Sequence, residues 1–574
     1  MKIKSILKKK IKKMFFKNNY NKKIKIIIQK NKNIKNGHYQ LNNLFNISKI
    51  YKTTPKKLAK KILKKNKFDI IKKMEFSKPC FINIFLNKKW IEKSLEKILK
   101  NKKFISPIKK KTVVIDYSSP NMAKSMHVGH LRSTIIGDSV SRIMEYIGNK
   151  VIRANHIGDW GNQFGMLIAY IKKKNLKISK KISISKIEEI YCQAKKLYDK
   201  NKKFLKKTNK YTKKLQKKEK FCYKIWKKIV KLNIKENEKI YKLLNIKLTK
   251  KDIFGESFYK KMLKKIVQDL LKRKIATIKN GNIIVFLKNF KNRKGKKMGV
   301  ILKKKDGSFL YSIIDIACIK YRYEQLKAEI ILYYVDSRQK QHLLQIYEIS
   351  KIAGYIPNNI KVKHHIFGMM LSENNQPFQT RSGNTIKLIE LIKKSIKKSK
   401  KILKEKNKLI SKKKLISLSK IIGIGAIKYA DLSKNRKTNY IFNWNQMLSF
   451  EGNTSLYIQY TYTRILSILR KYKKNLLNIK NSFKISNNYE TILSISILQF
   501  EEIIIKSSKK GKPHLLCSYI YQLASKYSNF YEKYNILKEK NKKIRDSRLK
   551  ISFLVSKILK KGLNLLGIKV SKSI

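Results

Sequence analysis

Cysteine is nearly absent from this chain. The five that occur among 574 residues, Cys80, Cys192, Cys222, Cys318 and Cys517, are isolated, with no Cys-x-x-Cys pair. That spacing argues against a disulfide framework and a structural zinc site, and it suits a reducing compartment. No protein-bound structural metal is expected. Long apolar runs are missing too: nowhere do about 18 apolar residues follow one another, so no membrane span is expected. The basic stretch Met1–Lys13 lacks the apolar core and small-residue cleavage site of a secretory signal, and a cytoplasmic location is expected. Acids are the third scarcity, 34 Asp and Glu against 140 Lys and Arg, for a formal charge of +106. Such an excess admits a polyanionic partner. Lys, Asn and Ile nevertheless recur everywhere, as in Lys8-Lys9-Lys10 and Lys400-Lys401-Ile402-Leu403-Lys404, and A+T-biased coding produces the same pattern. The charge therefore permits RNA binding without diagnosing it.

What is present is enough apolar material, 42% of residues, to bury several cores. The length implies two to four domains, and no internal repeat is evident. One stretch carries most of the chemistry: Ser119-Pro120-Asn121-Met122-Ala123-Lys124-Ser125-Met126-His127-Val128-Gly129-His130. It follows a strand-like run, Thr112 to Tyr117, and opens into a helical pattern with Leu131, Ile135, Ile136, Val140, Ile143, Met144 and Ile147 on one face. A strand, a short polar turn and then a helix aim backbone N–H groups and the positive end of a dipole at a phosphate. Gly129 leaves room for a flat base or ribose to approach the backbone. A lone His-x-Gly-His is weak evidence. The reading gains from the placement of His127, His130, His156, His342, His364 and His365, six of only eight histidines, at candidate strand ends or turns. This region is expected to be a nucleotide pocket.

Around it, residues 1–110 read as a small α+β unit, with helical patterns near Leu58–Leu63 and Ile91–Leu99 flanking a strand from Phe81 to Leu86. The strand Val151–Asn155 and the turn His156-Ile157-Gly158-Asp159-Trp160-Gly161 complete a β-α-β succession, which implies a parallel sheet with ligands at its carboxyl edge. The Lys-rich segment 178–250 is expected to be a solvated helical insertion, with a dedicated RNA arm as the alternative. Residues 251–345 return to mixed α/β with a hairpin near Asn280-Gly281-Asn282, and 446–574 read as all-helical. The aromatics of that last segment, Tyr460 among them, suit stacking on unpaired bases, although most fit ordinary helix cores.

Scarcity makes the placement of acids informative. Asp116 ends the first strand, and Asp315 follows Tyr311 by four residues, one turn if the segment is helical. Two carboxylates and a tyrosine hydroxyl converging on the strand-end crevice would recognise a cationic substrate, since a guanidinium offers five donors in a fixed fork. Caps or ion pairs with the many lysines are the plainer alternative. Gln339 and His342 add polar groups near another candidate strand end.

Taken together, these blocks resemble the class I aminoacyl-tRNA synthetases, and among them the arginyl-tRNA synthetases. The resemblance runs nearly end to end. It includes the histidine turn, Asn155–Gly161, Phe309–Ala317, Val335–Gln339, His364–Met369, Thr380–Gly383, Lys428–Arg436 and Phe450–Thr454. It implies an α/β class I Rossmann-like parallel sheet over residues 111–445, carrying the helical insertion at about 178–250 and a KMSK-like loop at 376–383. It also implies an N-terminal tRNA-elbow-binding α+β domain at 1–110 and a helical anticodon-binding domain at 446–574. By the same resemblance Asp116, Asn121, His127, Tyr311, Asp315 and Gln339 hold arginine. His127, Gly129, His130, Lys124, Gln379, Thr380 and Arg381 hold ATP, with His127, His130, Lys124 and Arg381 as the catalytic groups. Tyr39, Gln40, Asn83, Tyr460, Arg545 and Arg548 contact tRNA. The implied reaction joins L-arginine to tRNA(Arg) at the cost of Mg·ATP, with no DNA or membrane partner, in a monomer. It also implies a dependence of activation on bound tRNA.

Two departures stand out. His38 occupies a place where bacterial relatives usually carry an acid. Gln379 stands where they usually carry the lysine that grips pyrophosphate, and glutamine supplies no positive charge. Family members without that lysine typically carry one just before the histidine turn, and Lys124 sits there, so Lys124 with Arg381 is expected to supply the missing cation. The alternatives are a synthetase for another amino acid, lysine being the nearest cationic rival, and an RNA-binding relic that no longer activates an amino acid.

Overall fold

The computed structural model describes residues 2–20, 24–31, 33–63, 68–101, 104–106, 108–179, 182–291, 295, 297–376, 386–472, 479 and 481–573. At its centre lies a parallel sheet in the order Lys361–His364, Ile330–Tyr333, Thr112–Asp116, Lys150–Ala154. The register sets all four carboxyl ends level: Tyr333 lies opposite Asp116 on one side and His364 on the other, and Asp116 lies opposite Ala154. Crossover helices Gly129–Tyr146 and Lys340–Ile352 join successive parallel strands, as parallel pairing requires.

Strand alternation decides what covers each face. Val113, Ile115 and Leu332 point to one core, shared with Leu131 and Ile135 of the helix after the histidine turn and with the C-terminal helices. Val114 and Ile331 point to the other, where they meet Phe164, Ile313 and Ile316. A sheet buried on both faces needs such continuously apolar strands. Each of these side chains contributes on the order of 1.5–3 kcal/mol by burial.

The segment read as an insertion forms helices Ile184–Lys200, Lys202–Gln216 and Lys220–Leu243, whose buried stripes include Ile187, Ile190, Phe204 and Ile229. A hairpin follows. Asn280 and Gly281 both have positive φ, +51° and +73°, as a two-residue turn joining strands Thr277–Lys279 and Asn282–Lys291 demands.

The N-terminal region is an antiparallel sheet ordered Ile28–Lys30, Tyr39–Leu41, Phe81–Leu86, Ile71–Ser77, packed with helices that include Pro55–Leu63 and Lys88–Asn101. It rests on the C-terminal helices. Glu92 and Glu96 accept from the backbone N–H groups of Ile485 and Phe483, and Gln499 donates to the Tyr39 hydroxyl. Beyond Ile441 the described residues form helices and connections only, the longer helices being Ser455–Lys471, His514–Lys533 and Lys542–Leu565. Among the described residues no helix is long and apolar enough to cross a membrane.

Candidate active site

The carboxyl edge of the parallel sheet opens into a cavity of about 680 Å³. Its floor is the loop between the first strand and the histidine helix. Ser118, Ser119 and Ala123 all adopt positive φ there, +70°, +45° and +70°. Non-glycine residues stay in that region only when their surroundings hold them. Ser118 N donates to Ser133 Oγ and Ser119 N to Asn155 Oδ1, both at 3.0 Å, while Ser119 Oγ donates to Asp116 Oδ1 at 2.8 Å. Gly158 faces Asn121 so closely that an added Cβ would lie 2.3 Å from Asn121 Oδ1.

The histidine turn defines its own protonation states. Gly129 N donates to His127 Nδ1 at 3.1 Å, and His127 N donates to His130 Nδ1 at 3.2 Å. Each Nδ1 is thus an acceptor, so in the neutral rings each Nε2 carries the hydrogen. Burial, joined by the neighbouring Lys124 ammonium, lowers the His127 pKa, and burial beside His127 drives His130 down to about 3. Two neutral N–H donors therefore stand at the start of the helix Gly129–Tyr146. Gly129 is required because a Cβ there would meet the His127 ring at 2.9 Å. Arg132 anchors the helix from behind, donating to Gly368 O and Thr438 O and pairing with Asp431.

Four acids line the cavity: Asp116, Glu256, Asp315 and Asp336. Two are neutralised by guanidinium groups. Asp116 is held by the buried Arg322, and Asp336 by Arg338 through contacts of 2.9 and 3.1 Å. The other two face imidazoles. Asp315 Oδ2 lies 2.6 Å from His342 Nε2, and its Oδ1 lies 3.6 Å from His156 Nε2. His156 Nδ1 in turn sits 2.9 Å from the Phe254 carbonyl, so acceptors flank the ring on both sides. Burial opposes charging that ring, but Cys318, Asp315 and Asp116 outweigh it and lift its pKa to about 10. Glu256 arrives because residues 252–256 run beside the second strand's exit: Asn155 N donates to Asp252 O and Glu256 N to Ile157 O. Burial pushes its carboxyl up to about 7, against the opposing pull of His156. Asp315 and Glu256 thus share the cavity with a charged His156 ring.

The cavity gathers Asp116, Asn121, His127, Gly129, His130, Tyr311, Asp315 and Gln339 of the expected set. Tyr311 opens the helix Tyr311–Glu324, so Asp315 does stand one turn along, and the Tyr311 ring packs edge-on to His342 at 4.8 Å. Asp116 reaches the crevice with one oxygen bonded to Arg322 and the other accepting from Ser119 Oγ. Lys124 is exposed outside the cavity lining, its ammonium 4.5 Å over the Tyr191 ring. Gln379, Thr380 and Arg381 lie outside the described residues. The chain that follows them is anchored at the site, since Val128 N donates to Ile386 O and Leu388 N to Met126 O. His364 and His365 are not in the lining: His365 Nδ1 pairs with the Tyr334 hydroxyl at 2.7 Å beside Gly511. Glu256 escaped the sequence reading. Its one signal was an acid two residues from the glycine-flanked Phe254 in a chain poor in acids.

The residues expected to meet RNA divide. Tyr460 is 47% exposed and Arg545 half-buried. Tyr39 is fully buried under Gln499, and Arg548 is buried between Glu490 and Glu539, so neither side chain offers a free group at the surface. Gln40 is half-buried and donates to the buried Asn83 at 3.0 Å. His38 is half-buried and uses Nδ1 to accept from Leu86 N at 2.9 Å.

A parallel sheet with a histidine turn at the start of its first crossover helix, joined to a helical C-terminal domain, defines a class I aminoacyl-tRNA synthetase. The chain matches the catalytic domain of the class I (R) tRNA synthetases over residues 94–444, the DALR anticodon binding domain over 458–574 and the arginyl tRNA synthetase N-terminal domain over 1–86. It is 54% identical to the arginine–tRNA ligase of Buchnera aphidicola subsp. Schizaphis graminum, with all of both chains covered. It is also 54% identical to that of Wigglesworthia glossinidia brevipalpis, with 99% of each covered. Its structure resembles that of the Plasmodium falciparum arginyl-tRNA synthetase with a TM-score of 0.86 at 32% identity, covering 100% of both chains. The chain belongs to the arginyl-tRNA synthetases.

Proposed function

We propose that this chain activates L-arginine with ATP and transfers it to tRNA(Arg). The observation that carries the reading is the convergence of Asp315, Glu256 and Tyr311 on the cavity that also holds the neutral His127–His130 turn. A guanidinium reaching them can bond two carboxylates and the Tyr311 hydroxyl at once, which a single ammonium cannot do with the same fork. This orientation leaves the amino acid's carboxylate and α-ammonium toward the phosphate turn, beside Asn121, with Gln339 at the rim.

The carboxylate oxygen attacks the α-phosphorus, and the bond to pyrophosphate breaks. A ribose hydroxyl of the terminal adenosine then attacks the arginyl carbonyl, and AMP leaves. His127 and His130 donate Nε2–H bonds to the phosphate oxygens, and being neutral they do so without a proton that must first be lost. Gly129 lets the nucleotide approach the helix N-terminus. ATP enters as its magnesium complex, the ion travelling with the substrate. Lys124, Gln379, Thr380 and Arg381 serve the pyrophosphate side, with Lys124 swinging from Tyr191 to supply the cation that Gln379 lacks. Tyr460 and Arg545 face the anticodon loop, and Gln40 the tRNA elbow. The protein works as a cytoplasmic monomer.

Charging assays with tRNA(Arg) and either arginine or lysine test this directly. Arginine should be esterified and lysine should not. Tight tRNA binding with no charging by either would replace the reading with that of an RNA-binding relic. In Lys124→Ala, arginyl-adenylate formation should fall by about 10²–10³, the cost of losing one preorganised charge-stabilising group. A rate within a few-fold of wild type would remove Lys124 from the mechanism.

A further inference from the structure

Two lysines flank the histidine turn, and both dock on one helix of the insertion. Lys124 holds its ammonium 4.5 Å over the Tyr191 ring. Lys387 Nζ lies 3.3 Å from Glu188 Oε2 and 3.5 Å from Ser185 Oγ. Ser185, Glu188 and Tyr191 follow at three-residue spacing in the helix Ile184–Lys200, so they share one side of it. The same Glu188 oxygen accepts from Ser125 Oγ at 3.0 Å, which sets the carboxylate against the turn itself. His127 feels both flanks: burial is the main cause of its lowered pKa, Lys124 adds to the fall and Glu188 opposes it.

Lys387 has the closer backbone relation to the turn. It stands opposite His127 in an antiparallel bridge, between the bonds Val128 N to Ile386 O at 3.0 Å and Leu388 N to Met126 O at 2.9 Å. Those bonds enclose a non-hydrogen-bonded pair, whose side chains leave on the same face with Cβ atoms about 4.5–5.5 Å apart. A flexible four-carbon stem that starts beside the His127 ring reaches an anion that the ring's Nε2–H meets. We propose that Lys387 is a further triphosphate-binding residue, and that Glu188 is the positioning residue that holds its ammonium beside the turn until Mg·ATP takes the carboxylate's place. The proposal rests on the ATP-activating reading above and adds a framework cation in a chain whose Gln379 brings none. The side chains of Lys387 and Glu188 are 35% and 27% exposed, so water screens the pair and it yields readily to a partner of higher charge.

Removing the competitor should therefore tighten ATP binding, a sign that loss of a merely structural contact does not produce. In Glu188→Gln, which keeps an acceptor for Ser125, the Kd of Mg·ATP measured by calorimetry should fall about threefold. In Lys387→Ala it should rise about tenfold, and Lys387→Arg should stay within about threefold of wild type. Lys387→Gln, which retains most of the stem, gives the same readout should the alanine variant not fold. Adenosine, which has no phosphate, should compete with ATP equally well in wild type and in all variants. The double variant Glu188→Gln with Lys387→Ala should bind ATP no more tightly than Lys387→Ala alone, because the carboxylate then has no cation to hold. Weaker or unchanged ATP binding in Glu188→Gln would overturn the role of the carboxylate. Tightening that persists in the double variant would mean that Glu188 repels the triphosphate directly. Equal losses for adenosine and ATP in Lys387→Ala would make Lys387 a structural residue only. A wild-type chain that binds no ATP overturns the underlying reading, whereas ATP binding with the wrong variant pattern overturns only this proposal.

Discussion

The chemistry turns on which charges are cancelled. In a chain with 140 basic and 34 acidic residues, most acids would be expected to find a lysine. Asp315 and Glu256 instead face histidines inside the cavity. Glu256 yields a pH signature. Its carboxyl sits at about 7, so it is charged above that pH and neutral below it. For arginine, kcat/KM should therefore fall as pH drops through about 7, and Glu256→Gln should remove that limb of the profile; an unchanged profile would exclude Glu256 from the seat. His130, near 3, adds no titration in this range. A second residue-scale expectation concerns Gly129. Gly129→Ala forces the His127 ring away from a Cβ at 2.9 Å and breaks the bond that fixes its tautomer. ATP-dependent activation should drop by about tenfold or more while tRNA affinity stays unchanged, as binding assays would report.

The helix Gly129–Tyr146 shows how an element is placed by one buried side chain. Arg132 ties it to Gly368, Thr438 and Asp431, and is 2% exposed. Arg132→Met leaves Asp431 buried without its cation, which should cost about 3–5 kcal/mol in denaturant unfolding. A loss below about 1 kcal/mol would mean the pair is replaceable. Elements of this kind were legible in the sequence where local rules decide them. The strand before the histidine turn, the apolar face of the helix after it, the Asn280-Gly281 hairpin and the one-turn spacing of Tyr311 and Asp315 all follow from periodicity or turn chemistry. Partnerships across the fold were not. Arg322 meets Asp116 from 206 residues away, and Glu256 reaches the cavity only because residues 252–256 run beside Asn155 and Ile157. No local pattern encodes such meetings. For the same reason Tyr39 could be read as an RNA contact, although strand pairing turns it inward onto Gln499.

At the scale of the molecule, the catalytic helix, the insertion and the chain's end meet at one buried lysine. Lys428 Nζ donates to Leu244 O at 2.7 Å and Gly567 O at 2.9 Å. Burial lowers its pKa from 10.5 to about 7, with Asp138 opposing and Arg142 reinforcing the shift. Because the folded value is depressed, this group's contribution to stability is present above the unfolded value and is lost as pH falls through the folded one. Unfolding free energy should thus rise more steeply between pH 7 and about 10 in wild type than in Lys428→Met, and equal slopes would contradict the burial of a titrating lysine there. The whole chain's charge of +106 should make tRNA affinity fall steeply with salt, whatever its origin in coding bias. What matters most for the proposed reaction is a cation seat built on Asp315 and Glu256 in the cavity that holds the neutral histidine turn. Arginine-dependent ATP–pyrophosphate exchange in the presence of tRNA(Arg), compared between wild type and Asp315→Asn, measures this directly. Exchange should be robust with arginine, negligible with lysine, and reduced at least a hundredfold in kcat/KM by the substitution, about the worth of a buried charged contact. Undiminished exchange in Asp315→Asn would contradict the account.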